Sequence, residues 1–190
     1  MYTITKQFDF CYGHRVWSQT LNTEFSLDSC LACRHLHGHQ ARVIVYLQAD
    51  TLVSGMVTDF KHLNWFKKWL DDVLDHKFIM DINDPLLVYE IPHLFDGHRN
   101  LKRDYLVKHA IDGGYYTLYL EKLDVLKYDS ALTEKYEGMV IVNFVPTSEN
   151  LSSWLFDIVN ERMKRLFVKV SKVEFFETPK SRSIYTDGGV

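Results

Sequence analysis

His37-Gly38-His39 runs directly into Gln40-Ala41-Arg42-Val43-Ile44-Val45-Tyr46-Leu47, a segment rich in β-branched residues. In an extended strand, residues i and i+2 point to one face, so His37 and His39 present both imidazoles to a single point. Gly38 between them permits close approach of another backbone or a ligand. A metal ion such as zinc takes three or four ligands of this kind, so the fold has to bring at least one more to that face. His14 is the natural third. It closes an alternating segment, residues 2–10 running on to Gly13-His14-Arg15, that reads as a first strand. The two strands can pair as an antiparallel hairpin across a polar loop at 18–35. His35 also stands two residues from His37 and competes as a ligand. On spacing alone, metal-free histidines remain an open reading. Cys30-x-x-Cys33 offers another, half of a structural zinc site or a redox pair, but that needs two more ligands and leaves His-Gly-His unexplained.

The chain has 190 residues, 46% of them apolar, which suits one domain spanning 1–190 with an ordinary core. A net charge of −3 supplies no global basic field for nucleic acid or an anionic membrane. No apolar stretch approaches the roughly 18–20 residues of a membrane span. Met1 leads straight into strand-like Tyr2 to Phe8, without the layout of a signal peptide, so a soluble, cytoplasmic protein is expected. The cysteines are Cys11, Cys30 and Cys33, an odd and low count that does not suggest a disulfide scaffold.

Two helices are legible. Thr58 or Asp59 is a natural N-cap for the first, whose apolar face is Phe60, Leu63, Phe66, Leu70, Val73 and Leu74, with an end expected near Asp75-His76. The second starts after Pro146-Thr147-Ser148 and carries Leu151, Trp154, Leu155, Ile158, Val159 and Met163. Lys169 to Glu177 and Arg182 to Tyr185 read as a closing hairpin, and Met139–Val145 as a strand. The coarse order is β-β-α-α-β-β. Residues 84–138 fit it poorly and read as an insertion, with a hairpin or short helix near Gly113-Gly114.

Six pieces, in order along the chain, resemble the 6-pyruvoyl-tetrahydropterin synthase family, and within it the 6-carboxytetrahydropterin synthase (QueD) branch. They are Phe8-Asp9-Phe10 with Gly13-His14-Arg15, Cys33-x3-His37-Gly38-His39, Gly55-Met56-Val57-x-Asp59-Phe60, Leu74-Asp75-His76, Pro146-Thr147-Ser148-Glu149-Asn150, and Glu177. The short Cys33-to-His37 gap is what resembles the carboxy branch; pyruvoyl synthases usually have a longer one. The resemblance implies an α+β tunnelling fold: a four-stranded antiparallel sheet with two helices on one face, closing with other subunits into an oligomeric β-barrel. It further implies homo-oligomers built from trimers and stacked into hexamers, with active sites at subunit interfaces.

The same resemblance implies zinc on His14, His37 and His39. It gives catalytic roles to Cys33, Asp75 and His76, and puts Thr147, Ser148, Glu149 and Glu177 around a pterin triphosphate substrate, 7,8-dihydroneopterin triphosphate. The expected products are 6-carboxytetrahydropterin, acetaldehyde and triphosphate. The alternatives are the triphosphate-eliminating pyruvoyl reaction and a non-catalytic pterin-binding protein on the same fold. Read singly, each residue has a plainer role open to it. Asp75-His76 could close a helix, Glu177 could be an exposed strand residue, Cys33 an inert loop thiol, and Arg15 could meet either phosphate or a carboxylate.

Overall fold

A computed structural model describes residues 1–188. In chain order, β1 (Tyr2–His14) and β2 (His37–Ala49) are followed by α1 (Asn64–Val73), β3 (Lys77–Asp81) and the short α2 (Leu87–Glu90). Next come β4 (Leu106–His109), β5 (Tyr115–Leu118), α3 (Ser130–Glu137), β6 (Met139–Val142) and α4 (Ser148–Met163), and the hairpin β7 (Lys169–Thr178) and β8 (Ser181–Thr186) closes the order. The strands form one eight-stranded sheet, ordered β4-β5-β6-β3-β1-β2-β7-β8.

The α+β class is as expected, but the four-stranded antiparallel sheet is not. The sheet has eight strands, and β3 pairs with β6 in parallel, Phe78 opposite Met139 through Asp81 opposite Val142. Parallel neighbours need a long crossover between them, and the 84–138 segment is that connection. It therefore widens the sheet, through β4 and β5, as well as adding α2 and α3.

The chain divides into two compact units. The first comprises Met1–Tyr12, His39–Asp75 and the chain from Thr147 onward. Its strands β2 and β7 pair antiparallel, Val43 opposite Phe175 and Val45 opposite Val173. Alternate residues Phe8 and Phe10 of β1, and Ala41, Val43, Val45 and Leu47 of β2, are buried, as the period of a pleated strand requires. Helix α1 buries Phe66, Trp69, Leu70 and Val73, and α4 buries Leu151, Trp154, Leu155 and Val159 and packs on β7 and β8. Phe8 meets Phe66 edge-on at 5.2 Å, and Trp69 meets Trp154 at 5.5 Å. Each fully buried side chain of this size contributes about 1.5–3 kcal/mol.

Both helices begin at polar caps. The Asp59 carboxylate accepts the Lys61 N–H at 2.7 Å, opening a 3-10 turn at Phe60–Leu63 that leads into α1. Thr147 Oγ1 accepts the Asn150 N–H at 3.3 Å at the head of α4. Phe60 departs from the expected apolar face and is 51% exposed, because it sits in that 3-10 turn ahead of the α-helical register. Helix α1 stops at Val73, two residues short of the expected end at Asp75-His76.

The second unit comprises Gly13–Gly38 and His76–Pro146. Its core gathers Met80, Leu87, Ile91, Leu94, Leu118, Leu123, Tyr136, Met139 and Ile141. The β4–β5 hairpin turns at Gly113 and Gly114, both at positive φ, 118° and 76°, a region that glycine enters without a Cβ penalty. Gly13 is needed for a different reason. A Cβ there would lie 2.8 Å from Cε2 of Phe78, closer still to its Cδ2, and 3.4 Å from the His37 carbonyl oxygen. Gly13→Ala is expected to destabilise the chelator-treated protein by about 1–3 kcal/mol, read as a lower urea midpoint. An unchanged midpoint would mean Phe78 does not occupy the space beside Gly13.

Candidate metal centre

The alternation that builds the core continues to the strand ends. On β1 the buried residues run Phe8, Phe10, Tyr12, His14, and His14 is fully buried. On β2, His37 and His39 precede Ala41, Val43 and Val45 at the same parity. His14, His37 and His39 each bring a ligand atom within 4.8 Å of the others. The His14 and His37 ring centroids are 4.5 Å apart.

Two of the three rings are held through their second nitrogen. His14 Nδ1 donates to the Pro146 carbonyl at 2.6 Å, and His37 Nδ1 donates to the His35 carbonyl at 2.8 Å. A carbonyl oxygen only accepts, so the proton resides on Nδ1 and the lone pair on Nε2 in both. This is the outer support that metal-ligating histidines use to fix tautomer and ring direction. The donor set therefore fits a divalent ion such as zinc. His35 takes part through its backbone; its side chain is exposed and stands outside the cluster. Cys30 and Cys33 are also outside it.

Cys33 sits in a 3-10 turn, Ala32–Arg34, just before β2. Its carbonyl accepts the Val16 N–H at 2.7 Å, and its own N–H donates to Gln19 Oε1 at 3.1 Å. The turn is thus tied on both sides to the loop that follows His14. That loop is itself clamped. Trp17 Nε1 donates to Asp81 Oδ2 at 3.0 Å, and Arg15 Nε lies 3.2 Å from Asp84 Oδ2. Arg15 thus pairs with a carboxylate in this structure. Burial pushes the Asp84 carboxyl up, against the pull of the Leu86 N–H and the Arg15 guanidinium.

Asp75 Oδ1 accepts the Cys11 N–H at 2.8 Å, which fastens the turn after α1 to β1. The next residue, His76, has φ 58°, the left-handed region that a residue other than glycine enters at a cost of about 1–3 kcal/mol. It is exposed. On β7, Glu177 Oε1 lies 3.7 Å from His39 Nε2. Ser148 Oγ donates to Glu149 Oε2 at 3.2 Å, and the Ser148 carbonyl accepts from Ser183 Oγ at 2.5 Å. Sequence reasoning missed Tyr12, Asp81 and Asp84. Tyr12 carried a signal, since it precedes His14 by two residues in a strand; the aspartates, far away in sequence, carried none.

Fold and cluster together define an α+β protein with three histidines grouped so that they could hold a metal ion. Residues 3–188 match the family of 6-pyruvoyl tetrahydropterin synthase. The chain is 32% identical to the 6-carboxy-5,6,7,8-tetrahydropterin synthase of Aquifex aeolicus, over 97% of both chains. A crystal structure of an uncharacterized protein from Wolinella succinogenes is 52% identical, with TM-score 0.90 over 98% of each chain. The 6-pyruvoyl tetrahydropterin synthase of Caenorhabditis elegans, at 20% identity and TM-score 0.54 over 98% of this chain and 96% of that one, shares the fold. The chain belongs to the 6-pyruvoyl tetrahydropterin synthase family.

Elemental analysis of the purified protein is expected to find about one zinc per chain. His14→Ala, His37→Ala and His39→Ala should each lose most of it, while His35→Ala keeps it. Retention of zinc after loss of His14 would remove β1 from the ligand set.

Proposed function

We propose that this chain is a zinc-dependent lyase, a 6-carboxytetrahydropterin synthase. It converts 7,8-dihydroneopterin triphosphate and one water to 6-carboxytetrahydropterin, acetaldehyde and triphosphate, on the route to 7-deazaguanine bases such as queuosine. The observation that carries this reading is the cluster of His14, His37 and His39 with the Glu177 carboxylate at its side. The relative from Aquifex aeolicus, which bears that activity's name, favours the carboxy product over the pyruvoyl one.

His14, His37 and His39 would hold the zinc ion, and because neutral imidazoles leave its +2 charge intact, it would stabilise negative charge developing on the hydroxyl oxygens of the substrate side chain. The protein's own groups do the rest. Cys33, held by its turn beside the loop after His14, removes a proton from the side chain. His76 returns or relays that proton, and its strained backbone fits a residue kept for placement at a cost in stability. Asp75, fastened to Cys11, fixes the turn that carries His76. Glu177 accepts hydrogen bonds from the pterin 2-amino and ring N–H groups, a charge-assisted and directional contact. Thr147, Ser148 and Glu149, at the head of α4, border the ring. Subunits assemble as trimers that stack into hexamers, and neighbouring chains complete each site, Cys33 from one and His76 from the next.

Incubating the zinc-loaded protein with 7,8-dihydroneopterin triphosphate tests the reading. Acetaldehyde with 6-carboxytetrahydropterin is expected. A 6-pyruvoyl product would move the chain to the other branch of the family, and no turnover would contradict both enzymatic readings. Cys33→Ala should lower kcat by at least about a hundredfold while leaving zinc content intact; zinc loss would make Cys33 a ligand.

A further inference from the structure

Tyr12 is a large aromatic two residues before a metal-ligand histidine, on the same face of the same strand. It is 3% exposed. Three rings fix it in place. Its centroid lies 5.8 Å from Phe10, 5.8 Å from Phe175 at 74°, and 5.8 Å from His39 at 39°. Glu177 stands two residues after Phe175 on β7, and its Oε1 lies 3.7 Å from Nε2 of His39, so two of the three rings around Tyr12 border Glu177. The phenolic O–H is a hydrogen-bond donor.

Glu177 itself is half-buried, its side chain 26% exposed, and Oε1 lies 3.7 Å from His39 Nε2. A glutamate on a strand turns about several side-chain bonds. To receive two N–H groups of a flat heterocycle, both of its oxygens must lie in the plane of that ring. A donor that cannot itself move restricts the turning, and a hydrogen bond to a carboxylate is about twice as strong as a neutral one. All the groups concerned, Tyr12, His39, Phe175 and Glu177, lie within one compact unit of the chain.

We propose that Tyr12 is a positioning residue for Glu177: its ring backs the His39 imidazole while its phenol donates to the carboxylate and sets the plane that receives the pterin. This rests on the reading of Glu177 as the ring anchor. The role differs from that of a zinc ligand and from that of a packing residue. Loss of the hydroxyl alone should release the carboxylate and leave ring packing, and thus the histidine cluster, in place.

The experiment is a fluorescence titration of the zinc-loaded full-length protein with neopterin, which carries the pterin ring without the triphosphate. The variants are Tyr12→Phe, Glu177→Gln and the double variant. Tyr12→Phe is expected to weaken neopterin binding about tenfold, with zinc content and urea midpoint at the parent's values. With the true substrate the same variant should raise KM more than it lowers kcat. In the Glu177→Gln background, adding Tyr12→Phe should change binding less than about twofold, the mark of two residues acting through one contact. Parent-like binding by Tyr12→Phe, an equal loss in both backgrounds, or loss of zinc from Tyr12→Phe would each overturn the positioning role. Parent-like binding by Glu177→Gln would instead remove the ring anchor itself.

Discussion

The pleat of β1 and β2 is the constraint from which the rest follows. One face of each strand carries the packed side chains, and along that face the residue type changes from aromatic and aliphatic to imidazole. Phe8, Phe10 and Tyr12 lead to His14; Val45, Val43 and Ala41 lead back to His39 and His37. The three histidines are thus the last members of core rows, and the rigidity of the rows fixes their direction. A buried imidazole with an unmet polar atom costs about 1–3 kcal/mol. The Pro146 and His35 carbonyls meet that need at Nδ1 of His14 and His37 and orient Nε2 of each for a metal.

Around that cluster the backbone is tightened wherever a proposed functional group sits. Hydrogen bonds from Val16 and to Gln19 anchor the Cys33 turn, and Cys11 anchors the turn before His76. The clamp formed by Arg15 with Asp84 and Trp17 with Asp81 belongs to the second unit, the one that contains the 84–138 segment. That segment consequently supports the loop behind His14 as well as widening the sheet. The two carboxylates of this clamp are Asp81, the last residue of β3, and Asp84 in the turn just after it, and the place of β3 depends on the crossover it begins.

Much of this was legible in the sequence because it is local. The two-residue spacing of His37 and His39, the period of α1 and α4, and a cap at Thr58 or Asp59 all follow from short stretches of chain. The closing hairpin followed from alternation. Strand β3 was not legible, since Lys77-Phe78-Ile79-Met80-Asp81 is a short apolar run directly behind a helix, without alternation of its own. Its parallel partner, Met139–Val142, is buried at every position and shows no period either. The pairing of these two strands is a long-range fact, and so is the Arg15–Asp84 ion pair. The left-handed backbone at His76 was invisible for another reason. No glycine or asparagine marks it, and the strain shows only once the turn is built.

The proposed function requires three imidazoles on the zinc ion and Cys33 off it, available as a base. X-ray absorption at the zinc K-edge of the purified protein tests this most directly. The expected spectrum contains three imidazole nitrogens at about 2.0–2.1 Å, completed by light oxygen scatterers and with no sulfur. A sulfur shell at about 2.3 Å would place a cysteine on the metal and contradict it.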